Sequence, residues 1–496
     1  MMLQRLLPDA ASRFPDRLAL VEGQRKLTYR ELLQAVSALG ETLKARGVEP
    51  GGTAAIQMPN SVEAFVAVLA AMRLAVTLLL LDPALKTEEV ERHCACAGAR
   101  TLLLNVPGAR GTAQPRVSPL VISPAEILPQ AARGESECAT AETHEYRAGQ
   151  AAVLLLSSGT TGRPKIVPRT AAQMEAAVQI RRAAEPCLET DRVLCLLPFF
   201  HSFGLVNVFL APLTAGARLH LEPFSPRVTA ACVERERITV LSATPFIFRL
   251  LAQTEFRKAP DFSSVRLAIS TGSALRPAVA AAFRAQFGIV IAQEYGMTET
   301  GPVTLTRSAE YVDEPGWVGQ PYEGVSVEIR DPNGHRVEPG KSGQVVVRSP
   351  AAFSYYVGES EAGAAKTTDG WVMTGDIGRL NERGHLFLQG RDKPMVNVAG
   401  KKVSPSEVEA CLAAHPAVGE VLVVGVATND GNERIKAFVT PTRPATVIEL
   451  QEHCAKRLAD FKVPREIVFV KSLAGGPMGK PSLASRQNGG EALEPS

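Results

Sequence analysis

The residues best suited to chemistry lie in Ser157-Ser158-Gly159-Thr160-Thr161-Gly162-Arg163-Pro164-Lys165. Four hydroxyls, two glycines and a lysine within nine positions suit a polyphosphate. Gly159 and Gly162 let the backbone fold its N–H groups round an anion, and Lys165 adds a point charge. The spacing is not that of the Walker loop, which needs G-x-x-x-x-G-K-[ST] and a helix start. A Ser/Thr/Gly surface turn is the plainer alternative. A second group is Gln293-Glu294-Tyr295-Gly296-Met297-Thr298-Glu299-Thr300-Gly301. Here Tyr295 can stack on a purine, Thr298 can donate to a phosphate, and Glu299 can hold Mg2+ while phosphate oxygens complete the shell. Its alternative is a polar passage from strand to turn. Asp376, in Thr374-Gly375-Asp376, offers two acceptor oxygens to a vicinal diol.

The elements that must position these residues follow from hydrophobic period. The apolar run 153–156 reads as a buried strand ahead of the first group, and 289–292 as one ahead of the second, so both groups sit beyond strand ends, where ligands collect in open α/β sheets. Before 153, strands 54–57, 74–81 and 101–104 alternate with helices 61–73 and 87–97. After 170, helices 171–185, 204–215, 227–236, 245–253 and 277–286 alternate with strands 193–197, 217–221, 238–241 and 265–269. Such alternation predicts parallel sheets with covered faces. The segment 106–150 reads as a loop-rich connection. From 302 to 390 short strands and Gly/Pro/Asn/Asp turns predict a small β-barrel or distorted sheet. The stretch 394–484 reads as a separate α+β domain, and 485–496 as a disordered tail.

Together these motifs resemble the adenylate-forming superfamily of acyl-CoA synthetases, peptide-synthetase adenylation domains and luciferases, over residues 10 to 484. Ser157 to Lys165 resembles its phosphate loop and Tyr295-Gly296-Met297-Thr298-Glu299 its second signature. Thr374-Gly375-Asp376 resembles the ribose-binding signature, and Gly390-Arg391-Asp392-Lys393 the start of the domain junction. The resemblance implies an α/β fold: a large domain, 1–393, of two sheet subdomains plus the β-rich part, then a small mobile domain. It assigns nucleotide contacts to Ser157, Ser158, Gly159, Thr160, Thr161, Gly162, Lys165, Gly272, Ser273, Ala274, Glu294, Tyr295, Gly296, Asp376 and Arg391. Thr298, Glu299, His201 and Lys480 become catalytic, Glu299 the metal ligand and Lys393 the hinge. His201, in Phe199-Phe200-His201-Ser202-Phe203, matches a residue at the mouth of the acyl pocket; capping the next helix is an equal alternative. Val403-Ser404-Pro405-Ser406-Glu407-Val408-Glu409 resembles CoA ligases, and Pro168-Arg169-Thr170 resembles some aryl-acid members. Peptide-synthetase domains bind the α-amino group through an Asp in the region matching 194–216, where this chain has none.

The implied reaction is ATP-dependent activation of a fatty or aromatic acid as its adenylate, then thioester formation with CoA. Transfer to a separate phosphopantetheinyl carrier protein, or a nucleotide-binding homologue without catalysis, are the alternatives. Composition adds exclusions. A net charge of +3 over 496 residues gives no field calling for nucleic acid or an anionic membrane. Eight scattered cysteines match neither a zinc site nor a disulfide framework. With Arg73 inside the apolar stretch 64–81, a helix followed by a strand explains it better than a membrane span, and the N-terminus lacks a signal-peptide core. The expectation is a cytoplasmic enzyme.

Overall fold

A computed structural model describes residues 2–104, 118–121, 143–157, 165–184, 187–306, 316–358, 370–391, 395–428, 432–470 and 473. Its contacts divide into two units, the first comprising 1–83, 93–156 and 166–392, the second 84–92, 157–165 and 393–496.

The first unit holds the two sheets that the alternation implies. One runs Ser118–Val121, Thr101–Leu104, Thr53–Ile56, Thr77–Leu80, Ala151–Ser157, Lys165–Thr170, with parallel pairing as far as Ala151–Ser157. The apolar stretch near Arg73 resolves into helix Val62–Arg73 and strand Thr77–Leu80. Ser61 caps this helix by accepting from the Ala64 N–H, and every one of its residues is buried. Arg73 is tolerated because its Nη1 donates to the Ser37 hydroxyl at 2.7 Å. Among the described residues no helix is long and apolar enough to cross a membrane.

The second sheet begins with the hairpin Leu18–Glu22/Arg25–Thr28 and continues in parallel through Arg218–His220, Arg192–Leu194, Val240–Ala243, Leu267–Ser270 and Ile291–Met297. Beyond Ile291–Met297 it turns antiparallel, through Gly301–Leu305, Trp317–Pro321, Leu386–Arg391, Val372–Leu380, Gly343–Arg348 and Ser326–Arg330. The β-rich segment therefore takes the distorted-sheet form and grows directly from the parallel sheet. Tight turns need glycine at the changeover: a Cβ on Gly296 would stand 2.6 Å from the Gly301 carbonyl oxygen.

One expected helix differs in kind. The stretch 204–215 is a π-helix over Gly204–Leu210 that passes into the α-helix Ala211–Ala215. Pro212 has no N–H to return to the preceding turn and its ring crowds that turn, which favours the wider winding.

A buried histidine gives the first unit an acid limit. Burial, seconded by Arg218, Arg192 and Arg235, pushes His220 from 6.5 down to about 4, against the opposing pull of Glu236. The folded protein thus keeps the ring neutral while the unfolded chain takes up a proton below pH 6.5, so stability falls as pH drops from about 6.5 towards 4. Relative to pH 7.5, the loss at pH 5 from this group should be about 2 kcal/mol. Urea denaturation of His220→Gln should show that part of the pH dependence removed, whatever the variant's absolute stability.

The second unit has the strand and helix order expected after 394. Val418–Ala427 pairs antiparallel with Glu433–Pro441, which pairs in parallel with Glu466–Phe469, and helices Pro405–Ala413 and Val447–Arg457 accompany them. Its core gathers Val408, Leu412, Val439, Leu450 and Cys454. Inside it Lys462 Nζ lies 2.8 Å from Glu89 Oε1 and 2.9 Å from Glu407 Oε1, all three residues buried.

Candidate active site

The first unit brings three of the expected nucleotide residues together around one carboxylate. Strands Val372–Leu380 and Leu386–Arg391 pair with Asp376 opposite Arg391, so the two side chains meet across the ladder. Arg391 Nε donates to Asp376 Oδ1 at 2.6 Å, and the Tyr295 hydroxyl donates to Oδ2 at 2.7 Å. The Thr374 hydroxyl accepts from the Asp376 N–H at 3.1 Å, within strand Val372–Leu380. Each carboxylate oxygen has two acceptor positions, so Asp376 can still take two further donors. Burial, reinforced by Asp376, holds the Tyr295 hydroxyl well above its ordinary range, and it stays a neutral donor.

Neighbouring residues of a strand face opposite ways, so the Glu294 side chain points away from the side that Tyr295 faces. Its carboxylate takes both contacts of Asn207 Nδ2, at 2.6 and 2.8 Å, and the Tyr322 hydroxyl at 2.8 Å. Burial raises its pKa above the usual carboxylate range. The Glu294 side chain is thus engaged inside the core, tying the Ile291–Met297 strand to the π-helix.

Thr298 and Glu299 occupy the turn between Ile291–Met297 and Gly301–Leu305. Glu299 is buried; its Oε1 accepts from the Tyr356 hydroxyl at 3.1 Å and its backbone carbonyl from the Phe353 N–H at 2.8 Å. Arg169, on strand Lys165–Thr170, donates from Nη1 to the Thr298 carbonyl at 2.8 Å. Burial pushes this guanidinium down to about 10, with Glu299 opposing the shift.

The Gly272, Ser273 and Ala274 loop follows strand Leu267–Ser270, and Gly272 has the left-handed φ of +88°. Gln293 holds it in place, accepting from the Leu275 N–H and donating to the Trp317 carbonyl, each at 3.0 Å. His201 is exposed, with its ring 4.7 Å from that of Phe200, and its carbonyl accepts from the Leu205 N–H at 2.9 Å. The backbone of His201 therefore helps start the following helical run while its ring stays outside the core. A Cβ at Gly204 would stand 2.0 Å from the Pro198 carbonyl oxygen, so this bend requires glycine.

Within the phosphate-loop motif, Ser157 ends strand Ala151–Ser157 and Lys165 opens Lys165–Thr170. The Ser157 hydroxyl has no hydrogen-bond partner among the described residues. Ser158, Gly159, Thr160, Thr161 and Gly162 lie outside the described residues, as do Lys393, Lys480 and the tail. Sequence reasoning assigned no site role to Arg169, Asn207, Tyr322 or Tyr356. Of these, only Arg169 left a signal, as a charge directly after the apolar Ile166-Val167-Pro168.

The family model of AMP-binding enzymes matches residues 7–357, and that of the AMP-binding enzyme C-terminal domain matches 407–480. The oxalate–CoA ligase of Arabidopsis thaliana is 30% identical, over 96% of each chain. The o-succinylbenzoate CoA synthetase of Bacillus subtilis, solved with a product analogue, superposes with a TM-score of 0.87 at 27% identity over 99% of each chain. The amide bond synthetase of Marinactinospora thermotolerans gives 0.87 at 29% identity, over 97% of this chain and 98% of its own. From its first helix to its last strand, the chain belongs to the AMP-binding enzyme family, as an ATP-dependent, adenylate-forming ligase of the acyl-CoA synthetase type.

Proposed function

We propose that this ligase joins a small aromatic or fatty acid to CoA and holds the AMP moiety on Asp376, Tyr295 and Arg391. The observation that carries the reading is the convergence of Tyr295 and Arg391 on the two oxygens of Asp376. A ribose diol can use the acceptor positions left on that carboxylate, and Arg391 adds positive charge beside the α-phosphate. In the first half-reaction a substrate carboxylate oxygen attacks the α-phosphorus of ATP, and the bond to pyrophosphate breaks. In the second the thiol sulfur attacks the acyl carbon, its proton is released, and AMP leaves.

Mg2+ fits the Glu299 turn. One carboxylate oxygen is engaged by Tyr356, and the other takes no hydrogen bond from the described residues, which leaves a hard oxygen ligand. No group of three or more His, Cys, Asp or Glu side chains suited to a metal gathers among the described residues, in keeping with a cation held by one carboxylate and phosphate oxygens. When bound, the ion neutralises charge on the phosphates. Thr298 and the phosphate-loop hydroxyls, from Ser157 to Thr161, would orient those oxygens, and Lys480 would meet the reacting carboxylate and α-phosphate. Lys393 would serve as the hinge between half-reactions, with the small domain beginning at 394.

The relatives support a small acid: one acts on oxalate, another on o-succinylbenzoate. The absence of an Asp from 194 to 216 argues against an α-amino acid. The test is carboxylate-dependent exchange of labelled pyrophosphate into ATP over fatty acids, benzoates, dicarboxylic acids and amino acids. Exchange with benzoates or fatty acids, followed by release of AMP on adding CoA, is expected. Exchange with amino acids alone would overturn the substrate class. Release of AMP only with a phosphopantetheinylated carrier protein whose thiol is free would replace CoA as the acceptor.

A further inference from the structure

Arg169 is an unusual residue for the place it occupies. It stands on strand Lys165–Thr170 and is 1% exposed, in a layer where Val167 packs with Ala352, Phe353, Tyr356 and Val372. Only Nη1 is engaged, by the Thr298 carbonyl; Nε and Nη2 are buried without a hydrogen-bond partner among the described residues. A buried guanidinium with idle donors is costly, because it has lost water and gained few partners in return. Burial dominates, and the charge of Glu299 offsets only part of its cost.

The rest of the cluster is built to hold that turn still. Gly301, with φ of +73°, brings its backbone so near that an added Cβ would stand 3.3 Å from Arg169 Nη2 and 3.3 Å from the Ala351 Cβ. The Tyr356 hydroxyl donates to the Glu299 carboxylate and the Phe353 N–H to its carbonyl. Arg169 thus tethers the turn at Thr298 and sets a positive charge beside the next carboxylate without a hydrogen bond to it.

We propose that Arg169 is a positioning residue for the Thr298–Glu299 turn: its guanidinium fixes the carboxylate in the orientation that receives the nucleotide-bound divalent cation. A direct salt bridge would occupy the carboxylate oxygens that the cation needs; a tether through the neighbouring carbonyl leaves them available. This rests on the reading of Glu299 as the metal ligand. Removal of groups that orient a ligating side chain typically costs 10- to 100-fold in metal affinity, and the lower end applies here because Tyr356 remains.

The test compares Arg169→Met, Arg169→Lys and Glu299→Gln with the unaltered protein. ATP binding is measured by calorimetry with and without Mg2+ and with no acid present, so no turnover occurs. AMP binding without metal and thioester formation from a synthetic acyl-adenylate are measured alongside. Arg169→Met should lose about tenfold of the Mg2+-dependent gain in ATP affinity. Its AMP affinity and its thioester step should stay within about twofold, because neither uses the turn's cation, and Arg169→Lys should recover part of the loss. If Arg169→Met does not fold, Arg169→Lys and Arg169→Gln are read in the same three assays. The inference is overturned if the Mg2+-dependent gain is unchanged while Glu299→Gln abolishes it, which leaves the metal assignment standing. It is equally overturned if all three readouts fall together, which would make Arg169 only a packing residue. If Glu299→Gln itself leaves the gain intact, the metal assignment fails and the inference falls with it.

Discussion

Asp376→Ala should weaken AMP binding by about 10²- to 10⁴-fold. Two hydrogen bonds from ribose hydroxyls to a carboxylate are worth about 1.5–3 kcal/mol each, and about 1.4 kcal/mol corresponds to a factor of ten. The loss has a second component. Without the carboxylate, Arg391 Nε and the Tyr295 hydroxyl lose the acceptor that now holds them at 2.6 and 2.7 Å. Leaving such donors unsatisfied should cost a further 1–3 kcal/mol of stability or so. Asp376→Asn separates the two. It keeps the shape, but its NH2 group must face one of the two donors, so AMP binding should fall less than for alanine while Arg391 and Tyr295 cannot both be satisfied. Calorimetric titration with AMP, beside a thermal melt to confirm folding, reads both effects. A folded Asp376→Ala protein that binds AMP as tightly as the original would remove Asp376 from the nucleotide site.

Lys462→Met should destabilise the second unit by about 3–5 kcal/mol at pH 8, the usual cost of breaking a buried charge cluster by removing one partner. Lys462 lies between Glu89 and Glu407, both buried. Burial alone would lower the lysine pKa, but Glu407 and Glu89 outweigh it and hold Lys462 above its ordinary value. Such a group adds stability that is fully present below the unfolded pKa and is lost as pH rises through the folded one, so it is present throughout the neutral range. For Glu407 burial is the larger influence, and it raises the carboxyl despite the lysine. In the methionine variant two carboxylates remain with no cation between them. A proton can then stand in for the lysine, so the destabilisation should shrink as pH falls from 8 to 5. Adding Glu407→Gln should restore part of the stability at pH 8. Urea denaturation across that pH range tests both; a penalty that does not change with pH would refute the electrostatic origin.

Much of this protein is legible in the chain. The alternation of apolar runs with amphipathic helices yields both α/β sheets because period 2 and period 3.6 are local properties that each segment carries alone. The change to antiparallel strands after 302 is equally local, written in short β-prone runs and turn residues. The order of the motifs identifies the family.

Partnerships across the fold are another matter. Nothing in Leu18–Glu22 says that it pairs with Arg218–His220, nor in Asp376 and Arg391 that they stand opposite each other, because register is settled by packing. Glu294 and Tyr295 are adjacent in one motif, yet pleating sends one carboxylate to Asn207 and Tyr322 and the other side chain to Asp376. Asn207 carries no motif at all; it matters only because the π-helix aims its amide at a buried acid. The chain by itself determined the chemistry available, as residue types at fixed spacings, and the local elements that hold them. Tertiary structure alone decided which charges are buried together, because desolvation acts on Arg169, Glu294 and Lys462 only once distant segments close over them.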